Sequence, residues 1–474
     1  MKYSEFEAVI GLEVHAELKT QSKIFCACPT SFGAEPNTQC CPICMGLPGT
    51  LPTLNRRAVE LAVMAGAALN CEITDLSHTD RKQYFYPDLP KAYQISQADT
   101  PICRNGALCF RMPDGEHTVG ITRIHIEEDA GKLIHKDDRT LVDYNRCGVP
   151  LIEIVSAPDL RSGAEAAAYM RTLRAILLTC GISDCKMQEG SLRCDVNLSV
   201  RKKGSDAFGV RTEIKNLNSF SFVEKAIDFE FARHCELLLR GEAVRMETRR
   251  FDSATGRTFA MRSKESAVDY RFLTEPDLLP IRLRREQIDI LRRSLSELPS
   301  ARSSRLVQTY GIPDADADVL TADSHLADYF ETAAKGTGYP KLLANLLLTD
   351  LLRFCTGEPF SSPIAEVRLS AVAELFGEGV INSTTAKKLI ARLATADFDP
   401  VEVVEREGLA QIRDRATLQA LIDDVLATNP RAVSDYRGGK TAAMRALQGQ
   451  AMARSAGRSD PILLEVLLKE SLEV

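Results

Sequence analysis

The chain contains no tryptophan among its 474 residues, and that absence excludes nothing. Other absences are more useful. No run of 18 apolar residues occurs, which argues against a membrane-spanning helix. The opening stretch MKYSEFEAVIGLEVH lacks the apolar core and small-residue cleavage site of a secretory signal, so a cytoplasmic protein is expected. There is no excess of positive charge: 59 Lys and Arg stand against 65 Asp and Glu, a net −6. This excludes a non-specific nucleic-acid coat but leaves room for a local basic patch. A Walker A loop is missing too. Gly439-Lys440-Thr441 has Ser434 where the motif's first glycine should stand. HExxH, the GxSxG elbow and the kinase signatures are also absent. Any use of ATP must therefore rest on an uncommon cradle.

Cysteine is what the chain has. Five of its 14 cysteines fall between Cys26 and Cys44. Cys26-Ala-Cys28 and Cys41-Pro-Ile-Cys44 are separated by turn formers, among them Pro29, Gly33, Pro36 and Asn37. In a reducing compartment such clusters bind metal more often than they form disulfides. Four thiolates suit a structural Zn²⁺, and no neighbouring histidine suggests an open catalytic position. The sequence therefore predicts a zinc clip made by Cys26, Cys28, Cys41 and Cys44, with Cys40 as the odd member. The competing readings are half-buried free thiols and a redox pair. The second fits poorly, because CPIC lacks the flanking strand and helix.

At this length two or three domains are expected. Residues 8 to 290 mix alternating strands with helices, and helical patterns dominate from 295 onward. The predicted class is α+β. A mainly antiparallel sheet with flanking helices occupies 1–294, and two all-helical domains follow at 295–405 and 406–474. Residues 162 to 180 form a predicted amphipathic helix, with a Ser162/Glu165 capping box, a Tyr169–Leu173–Leu177–Cys180 stripe and Gly181 at its end.

Several strands carry polar faces. VIGLEVHAEL alternates strictly, putting Glu13, His15 and Glu17 opposite Leu12, Val14, Ala16 and Leu18. A Glu and a His two residues apart can share a divalent cation, although a solvated sheet face has the same pattern. In ITRIHIEED, a regular strand sets His125, Glu127 and Asp129 on one face and Glu128 on the other. In SLRCDVNLSVR, Arg193, Asp195 and Asn197 share the polar face, and RTEIKN offers Arg211, Glu213 and Lys215. If these strands are neighbours, they line a cavity suited to Mg²⁺ and a triphosphate. GVPLIEIVS, by contrast, reads as a buried structural strand. In DRKQYFYPDLPKAYQISQ, Tyr84 and Tyr86 either stack on a nucleobase or cap the core.

Taken together, VIGLEVHAEL, CPICMGLPG, DRKQYFYPDLPKAYQISQ, GITRIHIEEDAGKLIH, GVPLIEIVS, EGSLRCDVNLSVR, TEIKNLNSF and MRSKESAVDYRF resemble the GatB family, the B subunits of aspartyl/glutamyl-tRNA(Asn/Gln) amidotransferases. They follow the family's order, and the tail from Asn429 resembles its C-terminal domain. The resemblance implies an ATP- and Mg²⁺-dependent activation of the carboxylate on Glu-tRNA(Gln), Asp-tRNA(Asn) or both. Amidation would then use ammonia supplied by a separate glutaminase chain, the A component of a heterotrimer that a small C component completes. By motif it assigns Mg²⁺/ATP binding to Glu13, His15, Glu128, Glu189 and Asp195. Arg193, Lys82 and Lys215 become anion clamps, and the thiol clip coincides with the family's zinc site. It makes the first domain a catalytic cradle and the last a tRNA-binding tail, with Arg431, Arg437, Lys440 and Arg445 as contacts. Without the resemblance that tail is a solvated helix face.

Two departures stand out. Gln188 occupies a position where the family usually has an acid, and DYRFLTEPDLLP at 269–280 lacks the family's extra prolines and second tyrosine. A local loop change is expected there. The alternative function is a zinc-containing, tRNA-binding scaffold with no chemistry of its own. The acid-lined faces oppose it, since bare acids repel phosphate.

Overall fold

The computed structural model describes residues 3–261, 269–357 and 359–473, and in it the alternating N-terminal stretch forms one long strand, β1 (Phe6–Glu17). Ile10, Leu12, Val14 and Ala16 are at most 1% exposed, while Glu13, His15 and Glu17 alternate onto the opposite face and remain partly accessible. A period of two thus separates an apolar floor from a polar roof on one strand.

Eight more strands extend the sheet: β2 (Glu72–Ile73), β3 (Cys103–Met112), β4 (Gly115–Glu128), β5 (Pro150–Ser156), β6 (Leu192–Lys202), β7 (Thr212–Leu217), β8 (Glu247–Asp252) and β9 (Arg257–Ala260). Their order is β9-β8-β7-β6-β1-β5-β4-β3-β2. All pairs are antiparallel except β7–β8, and this agrees with the expected mainly antiparallel α+β fold. The parallel pair requires a crossover, which a helix between the two strands supplies.

That crossover is α3 (Phe220–Leu239); with α1 (Arg56–Ala68) and α2 (Gly163–Thr179) it covers the apolar face. Leu61, Ala65, Tyr169, Leu173, Val223 and Ile227 share one core with Leu12, Val14, Ile154 and Val196. Truncating a leucine there costs about 2–5 kcal/mol. The capping of α2 is close to expectation. Ser162 accepts from the Glu165 N–H, but the Glu165 carboxylate reaches back one residue further, to the N–H of Arg161. Tyr169, Leu173 and Leu177 are fully buried, and Gly181 ends the helix at a φ of 62°.

The chain divides into two units, residues 1–300 and 301–474. The second is helical throughout. One core gathers Leu306, Phe330, Leu347, Leu369 and Leu389, and a separate one gathers Leu418, Ile422, Leu447, Leu464 and Leu468. Its helices are interrupted between Pro299–Tyr310 and Asp314–Thr321, between Ser324–Ala334 and Pro340–Leu346, and before Glu366–Gly377. Within the motif MRSKESAVDYRF, residues 262–268 lie outside the described residues. Among the described residues no helix is long and apolar enough to cross a membrane.

Candidate active site

Strand register decides which polar side chains meet. On one side of β1, His15 stands opposite Glu153 of β5; on the other, Glu13 stands opposite Asp195 of β6 and His15 opposite Arg193. β5 in turn sets Glu153 opposite His125 of β4, and β6 sets Asn197 opposite Glu213 of β7. Cross-strand partners project to the same face, so one row of ionisable groups crosses the middle of the sheet opposite the helices.

Two compact groups result. In the first, His15 Nε2 lies 3.5 Å from Glu127 and 3.4 Å from Glu153, and His125 Nε2 lies 3.3 Å from Glu153. In the second, donor atoms of Glu13, Asp195 and Glu213 lie within 4.8 Å of one another, as do those of His15, Glu127 and Glu153. Carboxylate oxygens with at most one imidazole suit a hard divalent cation. Lys215 Nζ bridges Asp195 and Glu213 at 2.8 and 3.0 Å, and Asn197 donates to Glu13 at 2.9 Å.

The electrostatics record the crowding of acids. Burial and then repulsion from Glu153 raise the Glu13 carboxyl, so this acid gains from a nearby cation. Burial alone would lower the His125 imidazole, but hydrogen bonds to Glu127 and Glu153 outweigh it and carry it up to about 9. His15 moves the same way, its bond to Glu153 overcoming burial. Glu153 is correspondingly held below the carboxylate range by the two histidines, against burial. Glu17 is pushed up by burial and by repulsion from the neighbouring Asp129 carboxylate.

The site expected from sequence is therefore only partly assembled. Glu13, His15 and Asp195 lie side by side, with Lys215 and Arg193 next to them. Glu128 and Glu189 do not join them. The alternation of β4 turns Glu128 to the other face, where Lys91 pairs with it and the Ile95 N–H donates to it at 2.9 Å. Glu189 sits in the turn before β6 and pairs with Lys186 at 2.9 Å. Lys82 packs over the Tyr270 ring at 4.8 Å. The strands are not consecutive neighbours either: β5, which reads as structural in the sequence, lies between β1 and β4 and supplies Glu153. A lone acid in the apolar run PLIEIVS is the signal for it, since a buried charge requires a partner.

The four thiols of the clip converge. The sulfurs of Cys26, Cys28, Cys41 and Cys44 all lie within 4.8 Å of one another. A tetrahedral Zn–S₄ site needs sulfurs about 3.8 Å apart, so the donor set fits zinc with little adjustment. The Cys41 N–H points at Cys44 Sγ at 3.2 Å, and the fully buried Lys23 ammonium lies 3.7 Å from the same sulfur. Hydrogen bonding from Cys26, above all, draws the Cys44 thiol down toward the thiolate, and the same contact raises Cys26. Cys40 faces away, toward Asn145.

The remaining expectations sort as follows. Half-buried Tyr84 and exposed Tyr86 stack on each other at 5.9 Å, outside the core. In the altered 269–280 loop, Glu275 is 2% exposed and takes two hydrogen bonds from Arg81, at 2.7 and 2.9 Å; Asp277 takes a third at 3.1 Å. Gln188 is exposed. In the tail, Lys440 pairs with Asp435 at 2.9 Å and Arg437 donates to the Leu472 carbonyl at 3.3 Å; Arg431 and Arg445 are exposed.

Comparison with known proteins agrees with this layout. The GatB/GatE catalytic domain model matches residues 8–289, and the GatB domain model matches 328–472. Among aspartyl/glutamyl-tRNA(Asn/Gln) amidotransferase B subunits, that of Carboxydothermus hydrogenoformans is 49% identical over 476 residues, covering 99% of each chain. Its namesakes from Caldicellulosiruptor saccharolyticus and Moorella thermoacetica are 49% and 48% identical, and each match covers 99% of this chain and at least 99% of the relative.

Proposed function

The chain belongs to the GatB family of aspartyl/glutamyl-tRNA(Asn/Gln) amidotransferase B subunits, and on that premise we propose where and how it works. ATP phosphorylates the side-chain carboxylate of Glu-tRNA(Gln), Asp-tRNA(Asn) or both, and ammonia then displaces the phosphate to leave the amide. One observation carries this reading: two cation-sized groups, His15–Glu127–Glu153 and Glu13–Asp195–Glu213, stand side by side on one sheet face. Such a face repels phosphate and carboxylate alike when bare. Mg²⁺ held by both groups would neutralise a triphosphate and a carboxylate as they approach. The chain's own residues orient that chemistry. Glu153 fixes both imidazoles, Asn197 holds Glu13, and Lys215 is poised to exchange its carboxylate partners for phosphate oxygens.

Ammonia comes from the glutaminase component (A), and a small third component (C) completes the complex, since this chain shows no nucleophile motif of its own. Cys26, Cys28, Cys41 and Cys44 hold a structural Zn²⁺. The chain folds as three domains, 1–294, 295–405 and 406–474, a number that the three hydrophobic cores support, and the last contacts tRNA through Arg431, Arg437, Lys440 and Arg445. The assembly works in the cytoplasm.

The test is amidation of misacylated tRNA by the three-component complex with the glutaminase disabled, ammonium chloride as nitrogen donor, and ATP and Mg²⁺ present. Glu13→Ala and Glu153→Ala should each abolish amide formation while leaving tRNA binding intact. Full activity in both variants would contradict the assignment and favour a scaffold.

A further inference from the structure

Beside the two acidic groups, two arginines converge on one carboxylate. Arg193 on β6 donates from Nη2 to Asp129 at 2.7 Å, and Arg146 Nε lies 3.5 Å from the same oxygen. Asp129 is nearly buried, whereas the Arg193 and Arg146 side chains remain 37% and 32% exposed, so a ligand can reach them. Arg146 is fixed further by bonds to the carbonyls of Ala130 at 2.9 Å and Gly131 at 3.0 Å.

A guanidinium has five N–H donors, so these bonds leave several unspent. Arg193 Nε is buried and has no hydrogen-bond partner among the described residues. The nearby lysines are committed differently. Lys215 is shared by Asp195 and Glu213, Lys91 is paired with Glu128, and Lys186 with Glu189. Among the described residues of this face, Asp129 is the carboxylate that both guanidiniums reach, and Glu17 of β1 lies beside all three.

We propose that Arg146 and Arg193 form a carboxylate subsite that takes the side-chain carboxylate of the aminoacyl group on tRNA. This rests on the reaction proposed above and names where that substrate group sits. The location follows from charge. Acids line the rest of the row, and here two guanidiniums with unspent donors give an incoming carboxylate a place to bind. The planar fork of a guanidinium matches a carboxylate, which a point charge does not. Arg193 faces His15 in the sheet register, so a carboxylate on it lies next to the first cation group.

The thiol clip braces the same segment. Asn145 accepts from the Gln39 N–H at 2.8 Å and donates to the Glu35 carbonyl at 2.7 Å, and Cys147 donates to the Cys44 carbonyl at 3.4 Å. Arg146 lies between those two anchors. The subsite also separates substrate from product. An amide carries no charge, so the amidated tRNA loses the ion pair that held its precursor.

The test compares charged substrate with amidated product in the assembled complex. Arg146→Lys keeps the charge and removes the fork. The expected result is a KM for Glu-tRNA(Gln) or Asp-tRNA(Asn) raised about tenfold, with the KM for ATP unchanged. Affinity for the matching Gln-tRNA or Asn-tRNA should also stay the same, so the preference for substrate over product shrinks. Equal weakening toward substrate and product, or no change in either, would overturn the subsite. If the variant complex does not assemble, Arg193→Lys reads the same ratio. Absence of amidation by the unmodified complex would instead overturn the reaction itself, and the subsite with it.

Discussion

His15 on β1 and Glu153 on β5 stand directly opposite each other in the sheet, and their side chains meet at 3.4 Å. The same carboxylate reaches His125 at 3.3 Å, so one acid in an otherwise apolar strand organises two imidazoles. Glu153→Gln keeps the volume and removes the charge. It should lower divalent-cation affinity by at least roughly tenfold, as losses around metal ligands commonly do. Mn²⁺ binding followed by EPR, beside the Mg²⁺ dependence of amidation, measures this. Unaltered Mn²⁺ affinity would remove Glu153 from the first cation group.

The clip predicts one zinc per chain. Cys44→Ser should release the metal and lower the melting temperature, because metal binding in such knuckles is folding energy. Cys109→Ser, an exposed thiol on β3, should change neither. Metal analysis and calorimetry on the purified proteins settle it, and a zinc-free wild type of full stability would refute the prediction.

A different buried group contributes to the acid sensitivity of the first unit. Glu230 on α3 is fully buried; burial alone would raise it, but bonds from His234, Arg233 and Thr258 hold it down to about 2, below its ordinary 4.5. A depressed acid binds fewer protons folded than unfolded, so its stabilisation is complete above pH 4.5. That stabilisation fades as the pH falls toward about 2. The amount at stake is roughly 3 kcal/mol. Denaturant titrations should show Glu230→Gln less stable than wild type at about pH 7, with the gap closing in acid. A constant gap down to about pH 3 would contradict this.

In the tail, Arg431 and Arg445 are exposed, whereas Lys440 is already paired with Asp435. Replacing both arginines by Ala should weaken tRNA binding and reduce the salt dependence of log K by about 1 per lost phosphate contact. Lys440→Ala should do less. Filter binding across a salt series distinguishes the two, and an unchanged slope in the double variant would leave the helix face merely solvated.

What is legible in the sequence, and what is concealed, follows from the range of each interaction. The two faces of β1, the capped α2 helix and the four-thiol clip depend on spacing within a few residues, and each can be read directly. Which strands flank β1 depends on pairing across more than a hundred residues. That is why PLIEIVS reads as a structural strand although its Glu153 meets both His15 and His125. Glu128 illustrates a conflict between two signals. Motif resemblance puts it with the ligands, whereas the period of two turns it away from His125 and Glu127, toward Lys91. The pairing of Lys440 with Asp435 across a turn is invisible in a net charge count.

In the reaction proposed above, ATP phosphorylates the carboxylate on the acid-lined sheet face. Positional isotope exchange in ATP labelled with ¹⁸O at the β–γ bridge tests it most directly, because scrambling reports reversible formation of an acyl phosphate. With misacylated tRNA and Mg²⁺ present and ammonia excluded, the wild-type complex should scramble the label, and Glu13→Gln and Glu213→Gln should not. Scrambling that persists in both variants, or that proceeds without the aminoacyl group, would place the chemistry elsewhere.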